Sequence, residues 1–210
     1  IDEINRAPAK TQAALFEVME ERQITYDGQT YNMEFPFIVI ATQNPVEQEG
    51  TYRLPEAQLD RFLFKVNLKY PTLEEEKQIL DRYRNNVQAP DLSSIRPVLS
   101  GNDIKEIQKT LEKIRVEDQI LKYIAEITND TRNHGKLYLG ASPRASLAML
   151  KSSKAIAAMR GRDFVIPDDV QYVAYHVLNH RIILTPEAEM EGMTPNHIIQ
   201  EILQKIEVPR

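Results

Sequence analysis

The sequence predicts an α/β unit over residues 1–71 followed by an all-α unit over residues 72–210. Strand-like and helix-like segments alternate in the first unit. Residues 37–41 form a continuous apolar run, as expected for a parallel strand that is buried on both faces. After Pro71 only helical patterns follow, and the first begins at Thr72 with a capping box. The domain boundary is therefore predicted near Pro71.

The other elements of the first unit follow from local patterns. Residues 10–22 fit a helix because apolar side chains recur on one face. An Asp-Gly pair in the middle of residues 23–33 predicts a two-residue hairpin, since both turn positions require a positive φ. A short helix is predicted over residues 56–63, and alternation over residues 64–69 predicts a half-buried strand.

Amphipathic stripes and proline positions define the second unit. Pro143, Pro167 and Pro195 each indicate a helix start, because proline is favoured at the first helical position. The apolar residues that share a helix face are Ile104, Ile107, Leu111 and Ile114; Ile120, Ile124 and Ile127; and Val170, Val173, Ala174 and Val177. These stripes are predicted to form the core of the all-α unit.

Composition narrows the function classes. The chain has no cysteine, which excludes disulfides, thiolate metal sites and cysteine nucleophiles. A formal charge of −5 gives no electrostatic reason to expect nucleic-acid binding. No apolar run approaches the roughly 18 residues of a membrane-spanning helix, and no signal-peptide pattern is present, so a cytoplasmic location is expected. Because the first residue is not Met, the chain is expected to be part of a longer protein.

Three polar residues are predicted to lie at the ends of neighbouring strands. Asp2 and Glu3 follow Ile1, and Asn44 follows the apolar run at residues 37–41. Paired acids at a strand end suit phosphoryl transfer, because one can hold Mg²⁺ through water while the other orients or deprotonates the attacking water. The alternatives are that the acids are a solvated surface pair and that the Asn-Pro dipeptide only caps a strand.

Two arginines are the other candidates. Arg61 follows a helical turn at the edge of the first unit, where it could serve a neighbouring subunit's nucleotide or be an ordinary solvated charge. Arg144 lies in the first turn of a helix, where the helix dipole disfavours a cation. A bound anion would explain this position, because helix N-termini and guanidinium groups both bind phosphate. Pairing of Arg144 with a nearby carboxylate is the alternative.

Other motifs carry less information. His176 and His180 stand one turn apart but lack the intervening Glu of a zinc-binding helix, so one packed and one solvated histidine is predicted. Arg6 and Arg53 are lesser candidates. The sequence contains no G-x-x-x-x-G-K-[ST] phosphate-binding loop.

Several ordered motifs closely resemble the MoxR family of AAA+ ATPases. These motifs are residues 1–8 (IDEINRAP), 41–45 (ATQNP), 47–52 (EQEGTY), 54–62 (LPEAQLDRF), 140–144 (GASPR), 180–184 (HRIIL) and 187–192 (EAEMEG). By this resemblance Asp2 and Glu3 correspond to the Walker B acids, Asn44 to sensor-1, Arg61 to the trans-acting arginine finger and Arg144 to sensor-2 in the lid.

The resemblance implies part of an AAA+ P-loop NTPase sandwich followed by a helical lid, with ATP and Mg²⁺ as cofactors. The resemblance also implies a ring-forming, usually hexameric, chaperone-like ATPase. Such an ATPase acts on client proteins, often beside von Willebrand A domain partners. The hairpin over residues 23–33 resembles the pre-sensor-1 insertion, a place for client or partner contact. Without a phosphate-binding loop, these 210 residues alone are expected to bind ATP poorly and to be inactive.

Two alternative functions remain. The chain could be a non-hydrolysing protein-interaction module on the same fold. It could also belong to a DNA-dependent AAA+ motor, although the hairpin offers Tyr26 and Tyr31 and has no Lys or Arg between residues 23 and 33.

Overall fold

The computed structural model describes residues 1–44, 54–84, 93 and 95–209. A short 3₁₀ turn, Ile4–Arg6, comes first. The helices in the described ranges are α1 (Ala9–Glu21), α2 (Glu56–Leu59), α3 (Leu73–Tyr83), α4 (Gly101–Glu112), α5 (Asp118–Asn133), α6 (Pro143–Met159), α7 (Pro167–Leu178), α8 (Pro186–Met190) and α9 (Pro195–Lys205). The strands there are β1 (Gln23–Tyr26), β2 (Gln29–Asn32), β3 (Leu137–Leu139) and β4 (Ile183–Leu184).

The predicted hairpin is confirmed. Strands β1 and β2 pair antiparallel, with Ile24 opposite Tyr31. Asp27 and Gly28 adopt φ values of 50° and 74°, the left-handed conformations that a two-residue turn of this type requires. Its two tyrosines, Tyr26 and Tyr31, are exposed. The hairpin therefore projects an aromatic surface without Lys or Arg from the end of α1.

The apolar run at residues 37–41 differs from its prediction. No strand is assigned to it, although two backbone bonds around Ala41 follow the parallel pattern: Ile1 N to Ile40 O at 2.7 Å and Thr42 N to Ile1 O at 2.9 Å. The prediction of burial on both faces was wrong, since Ile38 is 74% exposed. The side chains at the alternate positions are half-buried, and no element within the described residues covers the other face.

Two further boundaries differ in the first unit. The helix predicted over residues 56–63 ends at Leu59, because carbonyl groups after that point bond to side chains of the second unit. No strand is assigned over residues 64–69. There the amide of Lys65 donates to the carbonyl of His176 at 3.2 Å, so this segment runs beside the end of α7 rather than in a sheet.

Most of the second unit surrounds one apolar core. Helices α5, α6, α7 and α9 contribute fully buried side chains to it. The stripes predicted on α5 and α7 are confirmed, whereas α4 is largely exposed along its length and α3 is exposed throughout. The fully buried large side chains of this core are Tyr123, Ile127, Met149, Val170, Val173, Val177, Leu178, Ile198, Ile199 and Ile202.

The all-α prediction for residues 72–210 missed one small sheet. Strand β3 pairs antiparallel with β4, with Leu137 opposite Leu184. The two strands are 3 and 2 residues long, and their pairing joins segments far apart in sequence, so local periodicity gives no sign of it. The predicted helix starts are confirmed: Thr72 forms a capping box, and Pro is the first residue of α6, α7 and α9. Within the described residues, no helix is long and apolar enough to cross a membrane.

A second, smaller core lies in the first unit. Ile4, Phe16 and Leu54 are buried together, and residues from α2 and the following turn pack against them. This cluster fixes α1 against the 3₁₀ turn at one side and α2 at the other. It thereby positions the two candidate groups of functional residues described next.

Candidate functional site

The two acids at the start of the chain are anchored by Thr42. The Thr42 hydroxyl donates to the Asp2 carboxylate and accepts the Glu3 amide at 2.9 Å. Glu3 adopts a left-handed conformation, with φ of 47°, which is uncommon for a residue other than glycine. Its carboxylate forms an ion pair with Arg6 at 2.7 Å. The acids are therefore held at the end of residues 40–42 in a defined backbone conformation.

Asn44 belongs to the same edge of the molecule. It lies two residues beyond Thr42, about 7 Å further along an extended chain. Asp2 and Glu3 thus lie at the carboxyl end of one segment, and Asn44 lies just beyond Thr42 in the adjacent parallel segment. Their convergence on one site stays a prediction. Pro45, the motif at residues 47–52 and Arg53 lie outside the described residues.

The two candidate arginines share one carboxylate. Glu20, near the end of α1, forms an ion pair with Arg61 through one oxygen and with Arg144 through the other. Arg144 also lies 3.7 Å from the carboxylate of Asp60. No sequence pattern singles out Glu20, although a nearby carboxylate was one of the two predicted partners of Arg144. The structure thus brings together one arginine from each unit.

A shallow cleft accompanies this arginine pair. It has a volume of about 410 Å³ and is lined by α1 residues together with Gln58 and Arg61. The guanidinium carbon of Arg61 lies 5.7 Å from the centre of the Phe16 ring. Its Nε is buried and lacks a hydrogen-bond partner in the described part of the chain. Arg61 therefore has donor capacity beyond its ion pair with Glu20.

The acids and the arginines form separate sets of contacts. Thr42 holds Asp2, and Arg6 pairs with Glu3, whereas Arg61 and Arg144 both pair with Glu20 in the last turn of α1. Within the described residues, neither arginine pairs with Asp2 or Glu3. A convergence of acids, amide and guanidinium groups on one phosphoryl group is therefore not seen within this chain.

A dense set of hydrogen bonds joins the Arg61 turn to the second unit. The Asp60 carboxylate accepts the Ser142 hydroxyl at 2.7 Å and the Arg181 Nε at 2.9 Å. Ser142 is also the N-cap of α6, the helix that carries Arg144. Gly140 lets the segment before Ser142 run close to the end of α5, because a Cβ there would stand 2.6 Å from the carbonyl oxygen of Thr131.

His180 is a neutral, half-buried member of the same junction. Burial lowers its pKa to about 4, and the positive charge of Arg181 acts in the same direction. Its Nε2 lies 3.0 Å from the carbonyl oxygen of Phe62, which can only accept, so this nitrogen carries the proton. His176 is exposed, which confirms the prediction of one packed and one solvated histidine. In the described ranges no three His, Asp or Glu side chains form a metal-binding group.

Comparison with known proteins identifies the family. Residues 1–64 match the family model described as "ATPase family associated with various cellular activities (AAA)", and residues 129–202 match the "AAA lid domain" model. Chaperone MoxR1 of Mycobacterium tuberculosis is 44% identical over 218 residues, covering all of this chain and 56% of the relative. The chain belongs to the MoxR-like AAA+ ATPases. The fold is accordingly a part of the AAA+ α/β core followed by a helical lid.

Two further proteins extend this comparison. The Bacillus subtilis protein YeaC, whose function is uncharacterised, is 47% identical over 208 residues and is covered to 64% of its length. A crystal structure of an ATPase candidate from Cytophaga hutchinsonii superposes with a TM-score of 0.90 at 42% identity. The superposition covers all of this chain and 65% of that protein. The chain thus spans between about half and two thirds of the MoxR-like relatives it matches.

Proposed function

We propose that the full-length protein hydrolyses ATP at the interfaces between subunits of a ring and uses this reaction to remodel or mature client proteins. The observation that carries the proposal is that the acids and the arginines form separate sets of contacts, with Glu3 paired to Arg6 and both arginines paired to Glu20. One surface of a subunit offers carboxylates, and another offers guanidinium groups. Two copies arranged head to tail would place both around one nucleotide, as ring-forming heterologous interfaces do.

The acidic surface fits Mg²⁺ and the attacking water. Asp2 offers an exposed carboxylate that already accepts one hydrogen bond from Thr42. Mg²⁺ is commonly bound through one or two carboxylates together with waters and phosphate oxygens, so a single acid suffices here. When bound, Mg²⁺–ATP would supply the transferable phosphoryl group. Glu3 would orient or deprotonate the attacking water, and Asn44 would position it beside the phosphate.

The arginine surface fits a highly charged anion. Glu20 takes the place that a phosphate would occupy, because its two oxygens bind one guanidinium each. A terminal phosphate carries more charge and more acceptor oxygens than a carboxylate. We propose that it replaces Glu20 as the partner of Arg61 and Arg144 when subunits assemble. Both arginines would then stabilise charge on the neighbour's nucleotide.

Mixed oligomers of full-length variants test this proposal. Glu3→Gln and Arg61→Ala should each abolish turnover while sparing ATP binding. Mixing the two should restore part of the activity, because some interfaces combine the intact Glu3 of one subunit with the intact Arg61 of its neighbour. An inactive mixture, with assembly verified by light scattering, would contradict a site shared between subunits.

The remaining assignments belong to the same proposal. The assembly is a hexamer in the cytoplasm, and a von Willebrand A domain protein is a partner. The exposed aromatic hairpin of β1 and β2 contacts the client. Turnover is proposed for the full-length protein only, since these 210 residues include no G-x-x-x-x-G-K-[ST] segment. We also propose that a boundary near residue 71 separates part of the AAA+ core from a lid over residues 72–210.

A further inference from the structure

We infer that Arg181 of the lid is a positioning residue for Arg61, so that the lid of one subunit controls the ATP site of its neighbour. The inference rests on the proposed function, which assigns Arg61 to that neighbouring site. Arg181 does not touch the nucleotide in this arrangement. It acts through the turn at residues 60–63, which carries Arg61.

Arg181 makes four hydrogen bonds to this turn. Its Nε donates to the Asp60 carboxylate at 2.9 Å, and one terminal nitrogen donates to the carbonyl groups of Asp60 at 2.9 Å and Phe62 at 2.5 Å. The other terminal nitrogen donates to the carbonyl of Leu63 at 3.1 Å and to that of Val177 in α7 at 2.6 Å. One guanidinium group thus joins the end of α7 to the backbone on both sides of Arg61.

The turn has little regular structure of its own. Helix α2 ends at Leu59, and the amides of residues 60–62 still bond back to carbonyl groups of α2. The carbonyls at 60, 62 and 63 receive their donors from the lid, through Arg181 and His180. Without these donors the carbonyls would lose their hydrogen-bond partners in a partly buried place, which is unfavourable. The lid therefore determines the path of this turn.

The charges of the junction reinforce this arrangement. The side chain of Arg181 is only 2% exposed. Burial lowers its pKa, while the hydrogen bond and charge of Asp60 act in the opposite direction. Asp60 in turn accepts from Ser142, which caps the helix bearing Arg144. Asp60 is therefore linked to both arginines: it precedes Arg61 in the turn, and it binds the N-cap of the helix that bears Arg144. A movement of the lid would displace both arginines.

Arg181→Lys in the full-length protein is the primary test. Lysine keeps the positive charge but lacks the planar fork that reaches five acceptors, four of them in the turn. Misplacement of a charged group by about 1 Å can cost on the order of a hundredfold in rate, so kcat should fall about 10- to 100-fold. KM for ATP should change little, because an arginine that acts in the transition state contributes to kcat. An unchanged kcat would overturn the inference.

A mixing experiment distinguishes positioning in trans from a general fault of the mutant subunit. Arg181→Lys subunits mixed with Glu3→Gln subunits should regain activity, because the Glu3→Gln subunit supplies a correctly held Arg61 to a neighbour with intact acids. If Arg61→Ala regains activity with Glu3→Gln but Arg181→Lys does not, Arg181 serves only its own subunit and the inference fails. If neither mixture regains activity, the shared site itself is wrong.

Arg162→Lys is the matched control for lid stability. Arg162 pairs with fully buried Asp169 inside the lid, at 2.6 Å, and makes no bond to the turn at residues 60–63. This variant should lower the melting temperature without the loss of kcat. If it loses kcat as Arg181→Lys does, lid destabilisation alone explains the effect and the inference is overturned.

Asp60→Asn covers the case in which Arg181→Lys fails to fold. Asparagine retains the shape of the side chain and can still accept from Arg181, but it removes the charge. The folded, assembled variant should lose at least about tenfold in kcat and regain activity with Glu3→Gln. Wild-type kcat in this variant would contradict the inference.

Discussion

The lid and the first 71 residues differ in how much of their order they generate themselves. The lid surrounds a continuous core drawn from α5, α6, α7 and α9. The first unit has a small cluster around Ile4, Phe16 and Leu54, and apolar side chains such as Leu68 are exposed. Of the residues proposed to act on the nucleotide, Asp2, Glu3, Asn44 and Arg61 lie in this less packed unit, and Arg144 lies in the lid. The comparison teaches that a well-packed domain can hold the reactive groups of a neighbouring, less packed one.

Matched isoleucine-to-alanine substitutions test this difference in packing between the two units most directly. Ile127 is 0% exposed in the lid core, so Ile127→Ala should destabilise the chain by about 2–5 kcal/mol. Ile38→Ala in the first unit should change stability by less than about 0.5 kcal/mol, because its side chain is already exposed. Urea unfolding of both variants of the 210-residue chain, followed by circular dichroism, measures the difference. Equal losses of unfolding free energy would show that the first unit depends on its apolar side chains as strongly as the lid does.

The pH dependence of stability sharpens the comparison at the junction. The pKa of His180 is lowered to about 4 in the folded chain, below the value near 6.5 of an unfolded histidine. The stability from its neutral form is therefore fully present above pH 6.5 and is lost as the pH falls towards 4. The loss should reach about 3 kcal/mol.

A pair of histidine variants isolates this effect. His180→Gln should remove the component between pH 6.5 and 4, because glutamine can donate to Phe62 without titrating. His176→Gln should retain it, since His176 is exposed. Unfolding free energies measured across this pH range would refute the assignment if the two variants behaved alike.

Glu20→Gln is expected to have the smallest effect. Glu20 competes with phosphate for Arg61 and Arg144, but these pairs are partly exposed and worth at most about 1 kcal/mol. Because these arginines are proposed to act in the transition state, kcat of the full-length protein should therefore rise by up to about fivefold. Glu21→Gln, at an exposed neighbouring position, is the control and should leave kcat unchanged. A fall in kcat for Glu20→Gln would instead indicate that Glu20 holds the arginines in their working position.

Local sequence signals predicted the local structure well. The helix starts at Thr72, Pro143, Pro167 and Pro195 and the hairpin at Asp27-Gly28 each depend on a few adjacent residues, and all are confirmed. The exposure of Ile38 was not predictable in the same way. An apolar run predicts that a strand is buried, but it does not show which other elements cover each face of that strand.

The functional junction was harder to read from sequence. The pairing of Glu3 with Arg6 and of Arg61 with Glu20 depends on how α1 packs, which no local pattern specifies. Arg181 and Glu20 were missed because their partners lie far away in the chain. The one available signal was an arginine placed between the apolar pairs 177–178 and 182–183, where a buried cation requires acceptors nearby. The roles of Asp2, Glu3, Asn44, Arg61 and Arg144 stay predictions.

A structure of the full-length protein assembled with a non-hydrolysable ATP analogue tests the central claim most directly. We expect Arg61 of one subunit to lie about 3 Å from the terminal phosphate held beside Asp2 and Glu3 of its neighbour. The Arg181 bonds to the turn at residues 60–63 should be intact in that subunit. A nucleotide bound while Arg61 and Arg144 still pair with their own Glu20, far from any phosphate, would contradict it.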